Sequence, residues 1–378
     1  MSSDPVHLAT AEILRSLWRG EIPSWSREEG FTEETFLHDL ETQGMSALVW
    51  YRLNQLADAP QWPEPVLLSL GNTARREVGV EMLWDSETNR VLAAMTEENI
   101  QPLLFKGAAF SHCLYPQAGL RPRCDADLLV PQSDREAAES VMQSLGYEPL
   151  YQARAEYISG QMTWVKPDGG GVGYSHDLHW RIRNNHRAFV RAFDYACLSR
   201  RSCGVPGLGE HARTLNPADA LLLACVHRAG HYSYNGERLI WLHDIHLLVE
   251  ALGESELELF CAAARDLELE QLCGDAFEGS CFWFGTRLPR ELQRMRENAV
   301  SHSEGRPPMV VDRAAGIRST VWRELRGMTW NEGIKYLAQN AFPPPGYMKW
   351  RYGRDNGLIL PWLYLKRLFQ GMTILIRK

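Results

Sequence analysis

Eight cysteines and not one Cys-x-x-Cys pair, no long apolar run and no excess of positive charge: each absence removes a class of protein. Scattered at positions 113, 124, 197, 203, 225, 261, 273 and 281, the cysteines suggest neither a zinc knuckle nor a disulfide framework. Reduced thiols in a cytoplasmic setting fit them best. No stretch reaches the roughly 18 apolar residues of a membrane span, and the opening "MSSDPVHLATAEILRSLWRG" has no basic segment leading into an apolar one. Neither secretion nor insertion across a membrane is therefore expected. A formal net charge of −7 argues against coating nucleic acid through bulk electrostatics. Any anionic substrate must be met by a few specific side chains. Internal repeats and low-complexity tracts are also missing.

What is there suits a folded core. The chain has 378 residues, 45% of them hydrophobic and 23% charged, enough for one large or several ordinary domains. Helical spacing of apolar residues runs from about residue 8 to 98. At Gln101 the pattern changes: "PLLFKG" reads as a strand and tight turn, "AAFSHCLY" as a short helix stopped by Pro116, and "CDADLLVP" as a second strand. "SDREAAESVMQSLGY" is an amphipathic helix, with Ser133 as its cap and Gly146 at its end. "PLYQARAEYISGQMTWVKPDGGGVGYSHDLHW" reads as further strands broken by a turn at "PDGGG". Helix returns at "NPADALLLACVHRAGHYS", with Asn216 as cap and Pro217 at the first helical position.

The expected fold is α+β. A helical unit at 1–98 precedes a mixed-sheet core at 99–212, a second helical unit at 213–342 and an apolar, basic tail at 343–378. The tail segment "LILPWLYLKRLFQGMTILIRK" (358–378) has two readings: a terminal helix docked on the core, or a segment making peripheral contact with a membrane surface.

Two carboxylates one residue apart pose the chemical question. On a strand, Asp125 and Asp127 share a face about 7 Å apart, because side chains alternate. Each raises the other's pKa unless a cation joins them. Mg²⁺, or Mn²⁺, suits such a pair because it takes oxygen ligands and is commonly held by one or two carboxylates with substrate phosphates. A further acid would complete a two-metal site, and "GYSHDLHW" offers Asp177, with His179 on the same face as base or orienting group. Gly107 allows close backbone approach at a helix start, where free N–H groups attract phosphate, and Lys106, Arg121 and Arg123 are candidates to neutralise its charge. The plainer readings are a solvated strand end for Asp-x-Asp and an ordinary turn for Lys-Gly. Arg75 and Arg76 have two readings, side chains facing the cleft or, more plainly, a solvated helix face. "HRAGH" sets His227 and His231 at i and i+4, but Arg228 stands where a zinc protease needs its Glu.

Taken together, "LLFKGAAFSHCLYPQAGLRPRCDADLLV", "HDLHW" and "NPADALLLACVHRAGHYSYNGERLIWLHDI" resemble the bacterial uncharacterised nucleotidyltransferase family, a branch of the DNA polymerase β-like nucleotidyltransferase superfamily. The resemblance runs from about residue 40 into the C-terminal third. It implies a minimal nucleotidyltransferase core in which Asp125 and Asp127 bind two divalent ions and Asp177 is the third carboxylate. Lys106, Gly107 and Ala108 would form the phosphate-facing turn. His227 and His231, with Trp241 and Asp244, would line the acceptor side or support the ligands. The implied reaction is transfer of NMP from an NTP, ATP foremost, to an unknown acceptor hydroxyl on a small molecule, sugar or protein; nucleic acid is disfavoured by the acidic charge. One departure stands out: the wider superfamily has Ser after this Gly, and this chain has Ala108. That keeps open a nucleotide-binding scaffold, including an accessory protein of a biosynthetic or envelope polysaccharide pathway.

Overall fold

A computed structural model describes residues 5–58, 60–150, 160–167, 173–182, 193–235, 237–302, 330–353 and 357–376. The helices are α1 (Pro5–Trp18), α2 (Glu33–Gln43), α3 (Ser46–Leu53), α4 (Glu64–Glu97), α5 (Gly107–Cys113), α6 (Arg135–Ser144), α7 (Tyr195–Arg200) and α8 (Pro217–Asn235). They continue with α9 (Leu239–Glu250), α10 (Glu254–Asp266), α11 (Glu270–Phe284), α12 (Arg290–His302), α13 (Trp330–Ala341), α14 (Pro345–Tyr352) and α15 (Leu360–Ile376). The strands are β1 (Leu103–Phe105), β2 (Ala126–Leu129), β3 (Glu148–Pro149), β4 (Gln161–Lys166), β5 (Tyr174–His179), β6 (Cys203–Gly204) and β7 (Arg213–Thr214). Among the described residues, seven strands with both parallel and antiparallel pairing lie among many helices, which bears out the α+β expectation.

The chain divides into two compact units. One takes residues 1–90, 104–124 and 203–310; the other takes 91–103, 125–202 and 311–378. In the first, β1 pairs in parallel with β7, and β7 in antiparallel with β6. Its core is helical: Leu221, Cys225 and Val226 of α8, Leu242 and Ile245 of α9, and Cys273 and Phe277 of α11 are all buried. Gly274 lets α11 and α12 meet, since a Cβ there would collide with the Met295 carbonyl oxygen. The sequence signals for α8 hold: the Asn216 side chain accepts from the Asp219 N–H at 3.0 Å, and Pro217 follows as the first helical residue.

In the second unit the strand order is β3-β4-β5-β2. β2 lies parallel to β5, while β4 is antiparallel to both β5 and β3. All four residues of β2 are buried, and Val130 after it is too, the pattern of a strand covered on both faces. Helix α6 ends before Gly146, whose φ of 82° is the left-handed turn expected of it. Its start differs from expectation. A 3-10 turn at Gln132–Asp134 follows Pro131, the helix begins at Arg135, and the Ser133 hydroxyl donates to the Asp134 carboxylate at 2.7 Å instead of capping. Residues 151–159 of the expected strand run, and 168–172 at the "PDGGG" turn, lie outside the described residues.

Candidate functional site

β2 is apolar except for Asp127, which is 5% exposed. A carboxylate so placed needs a partner. The parallel register supplies two: Asp127 stands opposite Asp177, and Leu129 opposite His179. Because side chains alternate, Asp127, Asp177 and His179 share one face of the sheet. Their ligand atoms all lie within 4.8 Å of one another. His179 Nε2 is 2.9 Å from Asp127 Oδ1, so the histidine reaches an acid of the adjoining strand. Asp177 is held from β4, where Thr163 stands opposite it and Gln161 opposite His179. Thr163 Oγ1 donates to Oδ1 at 2.6 Å and Gln161 Nε2 to Oδ2 at 2.5 Å. Asp125 comes just before β2, half-buried and outside this close group.

Two carboxylates in adjacent strands, backed by an imidazole, form a donor set of hard oxygens plus one nitrogen. Mg²⁺ or Mn²⁺ fits the oxygens, and the nitrogen is acceptable to the latter. The group can therefore hold a divalent cation, which would relieve the repulsion between Asp127 and Asp177.

In the first unit, the buried run Leu104–Phe105 stops at Lys106, whose φ of 55° and ψ of −129° belong to a region that side chains rarely enter. Strain of this kind persists only where the surroundings enforce it. Here they do. A Cβ on Gly107 would lie 3.0 Å from Arg121 Nη1 and 3.4 Å from Arg123 Cβ, so the turn is packed beneath two arginine side chains. Lys106 Nζ lies 4.9 Å from the centre of the Phe105 ring. Ala108 is fully buried, which accounts for a small apolar residue there.

Both arginines are tied into the protein. Arg121 forms a two-pronged pair with Asp244 of α9: Nη2 to Oδ2 at 2.6 Å and Nε to Oδ1 at 3.0 Å. Tyr115 donates to the same Asp244 at 2.7 Å, and His243 Nδ1 lies 3.1 Å from the tyrosine oxygen. Burial, then the Asp244 charge, pushes the Tyr115 hydroxyl up; burial, then His246 and two arginines, pushes His243 down. Arg123 Nε sits 3.0 and 2.9 Å from the two oxygens of Glu81, and its Nη2 is 3.3 Å from Asp85. Ser111 of α5 donates to Glu81 at 3.1 Å, and His112 Nε2 lies 2.9 Å from Asp85. Burial raises the Glu81 carboxyl against the opposing pull of Arg123.

Glu81, Asp85 and His112 are also close enough to share a metal ion, but the Arg123 guanidinium already supplies positive charge to both acids. Sequence reasoning missed this brace. Its signal was a pair of acids at i and i+4 on α4, "EMLWD". Arg75 and Arg76 of the same helix are exposed, with Arg75 bonded to Asn72 and Arg76 paired to Glu77, as a solvated face requires. Of the histidine pair, His227 is half-buried with its ring edge-on to Trp241 at 5.1 Å. His231 lies on the same helix, and its side chain falls outside the described ones. Asp244, 2% exposed, acts as the support for Arg121.

No curated protein matches the sequence. Among solved structures the chain is similar to the antibiotic-resistance factor ANT(2'')-Ia, at 17% identity and a TM-score of 0.35, over 49% of this chain and 92% of that one. It is similar as well to an antigenic nucleotidyltransferase-like protein from Paracoccidioides brasiliensis, at 15% identity and a TM-score of 0.32, over 54% and 93%. Residues 29–280 match the family model described as uncharacterised nucleotidyltransferase. That match spans well over half of the sequence, and the chain belongs to the uncharacterised nucleotidyltransferase family.

Proposed function

We propose that the protein transfers a nucleoside monophosphate from an NTP, with ATP the first candidate, to the hydroxyl of a small molecule, sugar or protein. The observation that carries this reading is the pairing of Asp127 with Asp177 at one register position, with His179 beside them. Asp125, Asp127 and Asp177 are assigned to Mg²⁺ or Mn²⁺. Such an ion, when bound, neutralises triphosphate charge and acidifies a coordinated hydroxyl. Lys106, Gly107 and Ala108 are assigned to the nucleotide's phosphates, with Arg121 and Arg123 fixing the turn through Asp244 and Glu81. In the reaction the acceptor oxygen forms a bond to the α-phosphorus while the bond from that phosphorus to the β-phosphate's bridging oxygen breaks. Pyrophosphate leaves, and the acceptor proton passes to a carboxylate, Asp177 being the residue assigned. Thr163 and Gln161 orient that carboxylate; His179 orients Asp127.

The test is pyrophosphate release from ATP with Mg²⁺ across a panel of hydroxyl acceptors, in the wild type and in Asp127→Asn. Release that depends on an acceptor and is lost in the variant supports transfer. Ala108 favours a second reading, a nucleotide-binding scaffold that lacks the serine hydroxyl of the wider superfamily. Tight NTP binding without pyrophosphate release with any acceptor would favour the scaffold.

A further inference from the structure

The end of the chain differs in charge from the rest. From 330 to 378 there are eight Lys and Arg against two Asp and Glu, a formal +6, so the preceding residues carry −13 of the total −7. The same stretch forms α13, α14 and α15, and both of the shorter helices pack against α15. Leu363 of α15 and Met348 of α14 are buried on the inner side. Two further bonds fix α15 there: Tyr364 donates to the Pro343 carbonyl at 2.5 Å and Arg367 Nε to the Asn340 carbonyl at 3.1 Å.

The other face is largely exposed. Trp362, Leu365 and Phe369 recur at intervals of three and four, which places them in one stripe along α15, Leu358 lies in the turn just before it, and the four are 55–89% exposed. Helix α13 repeats the pattern with exposed Trp330, Ile334 and Leu337. Beside the α15 stripe, Lys366 Nζ lies 5.3 Å from the Trp362 ring and 5.3 Å from the Tyr352 ring, while Lys349 and Arg351 follow on α14.

We infer that this face seats the protein on an anionic membrane surface, with Leu358, Trp362, Leu365 and Phe369 entering the headgroup boundary and the basic residues meeting lipid phosphates. Three features select a lipid surface over a protein partner. The segment that carries the apolar face is positively charged in an otherwise acidic chain, with Lys366 beside the stripe. Trp and Tyr beside Lys are the side chains that favour the boundary between hydrocarbon and water. Among the described residues no helix is long and apolar enough to cross a membrane, and α15 carries Lys366 and Arg367 at its middle, so it lies along the surface. This inference is independent of the reaction proposed above.

The test is co-sedimentation of the full chain with phosphatidylcholine vesicles, with and without phosphatidylglycerol. The expected result is binding at least about tenfold tighter to the anionic vesicles, weakened by salt. Leu358→Asp/Trp362→Asp/Phe369→Asp should abolish it, and Lys349→Glu/Lys366→Glu should lower anionic binding to the neutral level, both variants keeping the wild-type circular dichroism. Equal or absent binding to the two vesicle types by the wild type overturns the inference. So does a chain that ignores vesicles but is a dimer, and becomes a monomer in the triple variant, since the face then belongs to a second copy.

Discussion

Asp177 is useful chemically only if it points where Asp127 and His179 do, and Thr163 and Gln161 hold its two oxygens there. Thr163→Val keeps the shape and removes one bond to the carboxylate. A hydrogen bond to a charged group is worth about 1.5–3 kcal/mol, so the turnover number for NMP transfer should fall at least about tenfold while the KM for NTP stays near its wild-type value. Thr163→Ser should restore most of it. A second prediction concerns His243. Burial holds its folded pKa below the ordinary value near 6.5, so below about pH 6.5 the unfolded chain takes up the proton first and stability falls with pH. In denaturant titrations between about pH 7.5 and 5.5, His243→Gln should lose less stability than the wild type. His246, also pushed down by burial, adds a contribution of the same sign and will persist in the variant. At this scale the nearness of Asp127, Asp177 and His179 could be anticipated from Asp-x-Asp and "HDLHW", whereas Asp125 falls outside their close group. The individual pairings could not be. Nothing local says that His179 reaches Asp127 fifty-two residues away, or that Arg121 finds Asp244 beyond Trp241. Pairings of this kind depend on register and helix packing.

Elements rest on packing that single changes can break. Gly274→Ala forces a methyl group into the Met295 backbone of the adjoining helix, and overpacking of this kind costs about 1–3 kcal/mol. The denaturation midpoint should drop with the denaturant slope unchanged. Arg121→Ala is expected to cost more, about 3–5 kcal/mol, because it strands the buried Asp244 carboxylate beside Tyr115. Removing both charges with Arg121→Met/Asp244→Leu should recover part of that loss. The same pair braces Gly107, so nucleotide binding in the double variant should remain impaired even where stability returns. Strands and helices were largely legible because period two and period 3.6 differ clearly in "CDADLLV" and "NPADALLLACV". Ser133 was misread as a cap because a Pro followed by polar residues can open a 3-10 turn before the helix proper. The short strands β3, β6 and β7 carry too few residues for any period to show.

For the whole molecule, the family match points to nucleotide chemistry, and the Asp127, Asp177 and His179 group could hold the metal ion that the proposed reaction needs. The acidic net charge is what the proposed site, with its cation, would accommodate without a basic surface, and the basic segment at the chain end is set apart from that site in sequence. Family and fold class were readable from motif order alone, whereas the acceptor is written in no motif, because one hydroxyl resembles another. The most direct measurement is a calorimetric titration of the full chain with ATP, with Mg²⁺ and then with the metal chelated, repeated on Asp127→Asn/Asp177→Asn. Metal-dependent binding by the wild type, weakened about 10–100-fold or more in the variant, is the expected result. Binding of ATP that is indifferent to both the metal and the two aspartates, or no binding at all by the wild type, would contradict it.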